Sequence, residues 1–390
     1  MTLHMLIYAC KYNKRKVALK LIETDKSNPD HIDNDNNTAL IWACCNKMSE
    51  VALKLIETGK SRPEHINNYG YTALLLACKN KMSKVALKLI ETGKSIPEHI
   101  NTIFEQTALI IACQNNMSEV ALKLIETGNS KPEYIDDKDN TSLINACLNN
   151  MSEVALKLIE TGNSRPEHIN NYGYTSLIIA CENEMNDVAL KLIETGKSMP
   201  EQIGKYNSTA LIYACQNKMT EVALKLIETG KSRPEQIDKF KKTALINTCE
   251  NNMSEVALKL IETGKSRPEQ INNHDTALIL ACENKMSEVA LKLIETGNSI
   301  PGHIDDDNKT ALIWTCQNNM SEVALKLIET GKSIPEHINN DNNTALMYAC
   351  QNNMSEVALK LIETGKSNLN HANNNKETAL LLICKKKHIM

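Results

Sequence analysis

Cysteine recurs with a period that invites chemistry. Cys10, Cys44, Cys78, Cys113, Cys147, Cys181, Cys215, Cys249, Cys282, Cys316, Cys350 and Cys384 form one column, and Cys45 is the only other cysteine. Regularly spaced thiols could hold metal ions, form a disulfide ladder or act as nucleophiles. A second column carries His31, His65, His99, His168, His303, His337 and His371, and each copy also has a serine and an acid. Spacing argues against each of these chemistries. No CxxC occurs, and no histidine shares the cysteines' helix face. Stacked helices lie about 8–10 Å apart, whereas a disulfide needs Cα atoms within roughly 7 Å. Gln202, Gln236, Gln270 and Tyr134 replace histidine in other copies, which does not suit a metal ligand. The cysteines are therefore expected to be small buried residues, with Cys45 exposed, and the histidines to make polar surface contacts. With no phosphate loop, catalytic carboxylate pair or nucleophile motif, the expectation is a non-enzyme with no metal and no cofactor.

The columns exist because the chain is a repeat. The segment TALIWACCNKMSEVALKLIETGKSRPEHINNYGY, from Thr38 to Tyr71, returns at Thr72, Thr107, Thr141, Thr175, Thr209, Thr243, Thr276, Thr310, Thr344 and Thr378. The step is 34, with one of 35 and one of 33. This reads as a single array over residues 1–390, about eleven units and a terminal half unit, with residues 378–390 as a C-terminal half-repeat cap. Composition agrees, being 42% apolar but only 4% aromatic, as suits many small, closely packed helices.

Within one unit, Leu40, Ala43 and Cys44 share a helix face, so a first helix is expected over about 39–45, capped by Thr38. Asn46 is expected to close it in the left-handed conformation. A second helix is expected over about 50–58, with Ser49 as N-cap and Met48 stapled onto Leu53. Val51, Ala52, Leu55 and Ile56 form its buried stripe, Glu50 and Lys54 an i,i+4 pair, and Gly59 its end. All ten prolines fall in the Ser61-Arg62-Pro63-Glu64 column, a capping-box pattern that predicts a short third helical turn over 63–66. The fold class is therefore an all-α helical repeat solenoid.

The pattern T-A-L-x-x-A-C…E-V-A-L-K-L-I-E-T-G resembles the ankyrin repeat, T-P-L-H-x-A…V-x-x-L-L-x-x-G, over nearly the whole chain. Ala39 and Ile41 stand where that family has Pro and His, and the hairpin finger looks shortened. The near-identical Asn- and Lys-rich copies resemble the large ankyrin proteins of giant DNA viruses. The resemblance implies that the turn and first helix line a concave face that binds partner proteins.

Twelve of the fourteen aromatic residues fall in the columns that vary between copies. Tyr8, Trp42, Tyr213, Trp314 and Tyr348 lie on the first helix; Tyr69, Tyr71, Phe104, Tyr172, Tyr174, Tyr206 and Phe240 lie in the turn. Apart from Tyr8, all are candidate partner-binding residues, with the principal contact expected between Asn67 and Lys242. The other reading is that the rings pack between neighbouring turns. The function expected is a non-catalytic protein-interaction scaffold; the alternatives are a ubiquitin-ligase substrate adaptor or a structural rod in a viral particle. A net charge of −3 and a pI near 6.4 do not favour nucleic acid. No run reaches membrane-span length, no secretory signal is expected, and unpaired cysteines suit a reducing compartment. A monomer in the cytoplasm is expected, in the host cytoplasm if viral.

Overall fold

The structure, a computed structural model, describes residues 4–24, 28–101 and 103–387. They contain 23 α-helices, α1 to α23 in chain order. Among the described residues there is no strand, only isolated bridges such as Ile135 with Thr141 and Ile304 with Thr310. Two compact units divide the chain, residues 1–199 with the first twelve helices and residues 200–390 with the rest. The fold is the expected all-α repeat solenoid of paired helices.

One repeat explains the others. α3 (Ala39–Cys45) begins at Thr38, whose Oγ1 accepts the Ile41 N–H. The same threonine cap recurs at Thr72, Thr107 and Thr141, satisfying one of the donors every helix start leaves unpaired. α4 (Ser49–Glu57) buries Val51, Ala52, Leu55 and Ile56 and ends at Gly59 with φ 65°. A Cβ at Gly59 would meet nothing within 4 Å, so its backbone angle, not crowding, selects glycine. Helices of seven and nine residues are too short to stand alone in water. They persist because each first helix packs on its own second helix and on the neighbouring first helices, and second helices pack on second helices. Alanine and cysteine in the contact columns keep these approaches close: Ala43, Cys44, Ala52, Ala77 and Cys78 are all fully buried.

Several local expectations are corrected. The left-handed residue is Lys47, φ 53°, not Asn46, φ −91°. Lys47 N–H reaches Cys44 O at 3.3 Å and Met48 N–H reaches Ala43 O at 2.8 Å, a Schellman closure that buries Met48 against α3's last turn. Met48 therefore belongs to the end of α3, and Ser49 is the first residue of α4 rather than a capping side chain. Lys54 pairs with Glu57 at 3.8 Å, not with Glu50, and both partners are about half exposed, so the pair contributes little. The third helical turn is a single β-turn, closed by His65 N–H to Arg62 O at 3.2 Å. Ser61 donates backwards instead, to Leu55 O at 3.0 Å, so the capping box does not form. Cys384, in α23 (Ala379–Lys387), is exposed, because α23 packs on one first helix only and no repeat among the described residues covers its other side.

Asn46 has a different task. Its Nδ2 donates to Cys10 O at 2.7 Å and Lys11 O at 3.0 Å, the last carbonyls of α1 (Met5–Lys11). Asn80 does the same to Cys44 O at 2.9 Å and Asn149 to Cys113 O at 3.1 Å. In the second unit Asn251, Asn284, Asn318 and Asn352 repeat it at 2.9–3.0 Å. Helix C-termini leave carbonyls without partners, and here the next repeat supplies the donor. The histidine column works alike. His65 Nε2 meets Asn36 O at 2.9 Å, His99 meets Gly70 O at 2.9 Å and His337 meets Asn308 O at 3.0 Å. Each acceptor is the left-handed residue of the preceding turn. Gln236 and Gln270 Nε2 make the equivalent bonds at 3.1 Å. Both residue types place one N–H at the same point, which is why they interchange.

Two outcomes follow from this packing. Replacing Asn80 by alanine removes the inter-repeat donor to Cys44 O and Cys45 O; a loss of about 0.5–1.5 kcal/mol is expected, read as faster amide exchange in α3 and α5 (Ala73–Lys79). In the native protein, a thiol reagent labels Cys45 and Cys384 quickly, while the buried cysteines react only as their repeats open.

Candidate protein-binding surface

Most turns before a first helix are built around one Asp or Asn side chain; the turn before Thr209 has Gly204 there and closes by backbone alone, Gly204 N–H to Ser208 O at 2.9 Å. Asp33 Oδ1 accepts the Asp35 N–H at 3.0 Å and the Asn37 N–H at 2.9 Å. Asn67 does the same for Tyr69 and Tyr71, and Asn170 for Tyr172 and Tyr174. A backbone bond, Asn67 N–H to Tyr71 O at 3.1 Å, completes the loop. This is the shortened finger: a small loop in which an Asx side chain fixes the direction of the aromatic residues.

The same side chain also orients the first-helix column. Trp42 Nε1–H donates to Asp33 Oδ2 at 2.8 Å, and Trp314 Nε1–H to Asp305 Oδ2 at 2.6 Å. Asn145 donates to Asp136 at 3.0 Å, and Tyr348 Oη accepts from Asn339 at 3.1 Å. Sequence reasoning missed these partners, although an aspartate nine residues before both tryptophans was a legible signal. Burial raises the Asp33 pKa, but hydrogen bonds from Asn37, Trp42 and Asp35 outweigh it and hold the carboxyl below its ordinary value.

In the first unit, Trp42, Tyr69 and Tyr71 meet around one cleft of about 330 Å³, with Leu76, Cys45 and Lys79 completing its walls. Lys79 Nζ donates to Tyr71 Oη at 2.8 Å and lies 5.0 Å from the Phe104 ring centre. Lys11 lies 5.3 Å from the Trp42 ring. Tyr69, Phe104 and Tyr172 are 49%, 43% and 48% exposed, while Trp42, Tyr71 and Tyr174 are half-buried. Phe104 stands in the one turn with an extra residue, bounded by the Asn101–Gln106 bridge. In the second unit, Tyr206 and Phe240 share Lys239, whose Nζ is 3.6 Å and 4.7 Å from their ring centres. Lys309 lies 3.7 Å from the Trp314 ring. Trp314 and Tyr348 are half-buried. Tyr213 is the exception: at 7% exposure it is a packing residue and offers a partner almost no surface. The lysines are the second group that sequence reasoning missed. Lys11 and Lys79 each follow a column cysteine, whereas Lys239 and Lys309 stand in turns, so no single spacing announced them.

Little here suits covalent chemistry. Burial pushes the Cys10, Cys78, Cys147, Cys249 and Cys316 thiols up to about 12. Even Cys45 is raised by burial, with Lys79 only partly offsetting it. Among the described residues no group of three or more His, Cys, Asp or Glu could hold a metal ion.

Trp42 reports on the turn. Because folding lowers the Asp33 pKa, the stability it contributes is present above the ordinary value of 3.8 and is lost as pH falls through the lower folded-state value. Trp42 emission, measured in a Trp314→Phe background, should stay constant as pH falls to about 4 and change only below it. In Asp33→Asn this transition is absent.

No helix among the described residues is long and apolar enough to cross a membrane. No curated protein matches the sequence at a significant level. The family described as ankyrin repeats (3 copies) does match, over residues 6–99, 143–235, 211–302 and 293–371. Ankyrin repeats generally mediate protein–protein interaction, and proteins built from them are typically non-catalytic scaffolds. With more than half of its length matched and with its helices paired repeat after repeat, the chain belongs to the ankyrin-repeat family.

Proposed function

We propose that the turn and first-helix face binds a protein partner and that the Trp42–Tyr69–Tyr71 cleft is its principal anchor in the first unit. The observation that carries this reading is the cleft itself. Three aromatic rings and an aliphatic wall enclose about 330 Å³ at the surface, where they are not needed to bury the core. Exposed aromatic clusters mark interaction sites, and Trp and Tyr dominate interface energetics. Lys79 beside the cleft favours an apolar partner side chain followed by an acidic one. A net charge of −3 supports protein rather than nucleic acid as the partner.

The function is therefore binding without catalysis. Affinity capture from the source cell, comparing the wild type with Trp42→Ala and Tyr69→Ala, tests it. The expected outcome is a specific partner held by the wild type and weakened by about 1–3 kcal/mol in each variant, with helix content unchanged. Capture of ligase subunits would indicate an adaptor, and capture of coat proteins a structural rod. Equal retention by both variants would place the contact elsewhere. Loss of helix content in Tyr69→Ala would show that its ring packs between turns.

A further inference from the structure

In the second unit a different surface feature lies where the repeat is one residue short. Thr243 and Thr276 are 33 apart, and the missing residue is in the turn: Asn272 N–H closes on Asp275 O at 3.0 Å, the third residue on, where the preceding turn closes on the fourth, Asp238 N–H to Lys242 O at 3.0 Å. Between this turn and the preceding one, residues 238–242, lies a groove of about 520 Å³ lined by Asp238, Lys242, Asn247, Glu250, His274 and Asp275 among others.

Two independent observations concern its contents. The first is an unsatisfied donor. Asn247 is 2% exposed, and its Nδ2 has no hydrogen-bond partner. Asn145, at the same place in its repeat, reaches Asp136 at 3.0 Å. Asp238, the equivalent of Asp136, holds the Phe240 and Lys242 N–H groups through Oδ1, both at 2.8 Å, as Asp136 holds Lys138 and Asn140, but its Oδ2 makes no bond to Asn247 Nδ2. A buried amide donor left unpaired costs on the order of 1–3 kcal/mol, so an incoming acceptor recovers free energy. The second observation is charge. Lys242 neutralises Glu250 at 2.6 Å, and His274 is paired with Asp306. Burial and the nearby Asp305 and Asp306 raise the Asp275 pKa, with His274 and His303 only partly offsetting them. A cation placed here would relieve that repulsion.

We propose that this groove is a subsite for a basic peptide segment, whose main-chain carbonyl accepts the Asn247 Nδ2–H while a neighbouring arginine or lysine side chain pairs with Asp275. A small cation alone supplies no acceptor for Asn247, and an acidic segment is repelled; a basic peptide supplies both groups within one residue. The inference rests on the reading that this face binds protein, but on other residues than the Trp42 cleft.

The test is fluorescence anisotropy of the full chain with a labelled peptide of alternating glycine and arginine, beside one of glycine and glutamate. The wild type should bind the arginine peptide and not the glutamate peptide. Asp275→Asn should weaken binding about tenfold, and Asn247→Leu several-fold. Circular dichroism checks the Asn247 variant; half-buried Asp275 provides a second variant with little structural burden. Wild-type affinity in Asn247→Leu, equal binding of both peptides, or no binding at all would overturn the subsite. Partner capture that depends on Trp42 while the arginine peptide fails would sink this inference alone.

Discussion

The interaction on which the array depends is a side-chain N–H reaching a backbone carbonyl at the end of a first helix in the repeat before. Each first helix has seven residues or little more, so a large share of its carbonyls lies in its last turn, where no intrahelical donor exists. Water cannot serve them well between packed helices. The asparagine after the next first helix does so, as Asn80 does for Cys44 and Cys45. This makes the end of one helix part of its neighbour's structure. It also favours one register, since a slip of one residue would carry the asparagine amide away from the carbonyl it serves. The His and Gln column applies the same rule to the turns. Stability in such an array resides between repeats as much as within them.

Holding the register with short polar groups leaves the packing columns free to be small. Alanine and cysteine fill the positions where first helices approach one another, and their complete burial follows. Burial then removes the thiols from chemistry. A thiolate has no solvation and no cationic partner there, so its pKa climbs. The periodic cysteines are a packing device, and their regularity reflects the regularity of the repeat.

The outer face is governed by different physics. An Asx side chain closes most turns and, where it is Asp33, Asp136 or Asp305, its second oxygen also reaches a side chain on the following first helix. Turn and helix are thus coupled, and a ring placed in either column is held rather than loose. Lysines over the rings add cation–π attraction, about 0.5–1 kcal/mol at exposed sites. Such rings lose little conformational freedom when a partner arrives, which favours affinity. Length changes matter as much as residue changes. The turn with an extra residue carries Phe104, and the turn short of one residue, before Thr276, borders the groove at Asn247.

By itself the sequence determined the repeat, the helix pairs, the threonine caps and the buried stripe. These depend on local backbone chemistry and on a periodicity repeated many times in one chain. It also separated constant columns from variable ones, and so located the face where Trp42, Tyr69 and Tyr71 lie. Tertiary structure decided what depends on distances between repeats. Asn46 could be recognised as a helix-end residue, but its donor role depends on carbonyls some 35 residues earlier. Lys47 took the left-handed position because the Schellman closure buries Met48. The burial of Tyr213, the lysines over the rings and the unpaired amide of Asn247 were equally out of reach. Each depends on which side chains converge when neighbouring turns stack, and that convergence has no period along the chain.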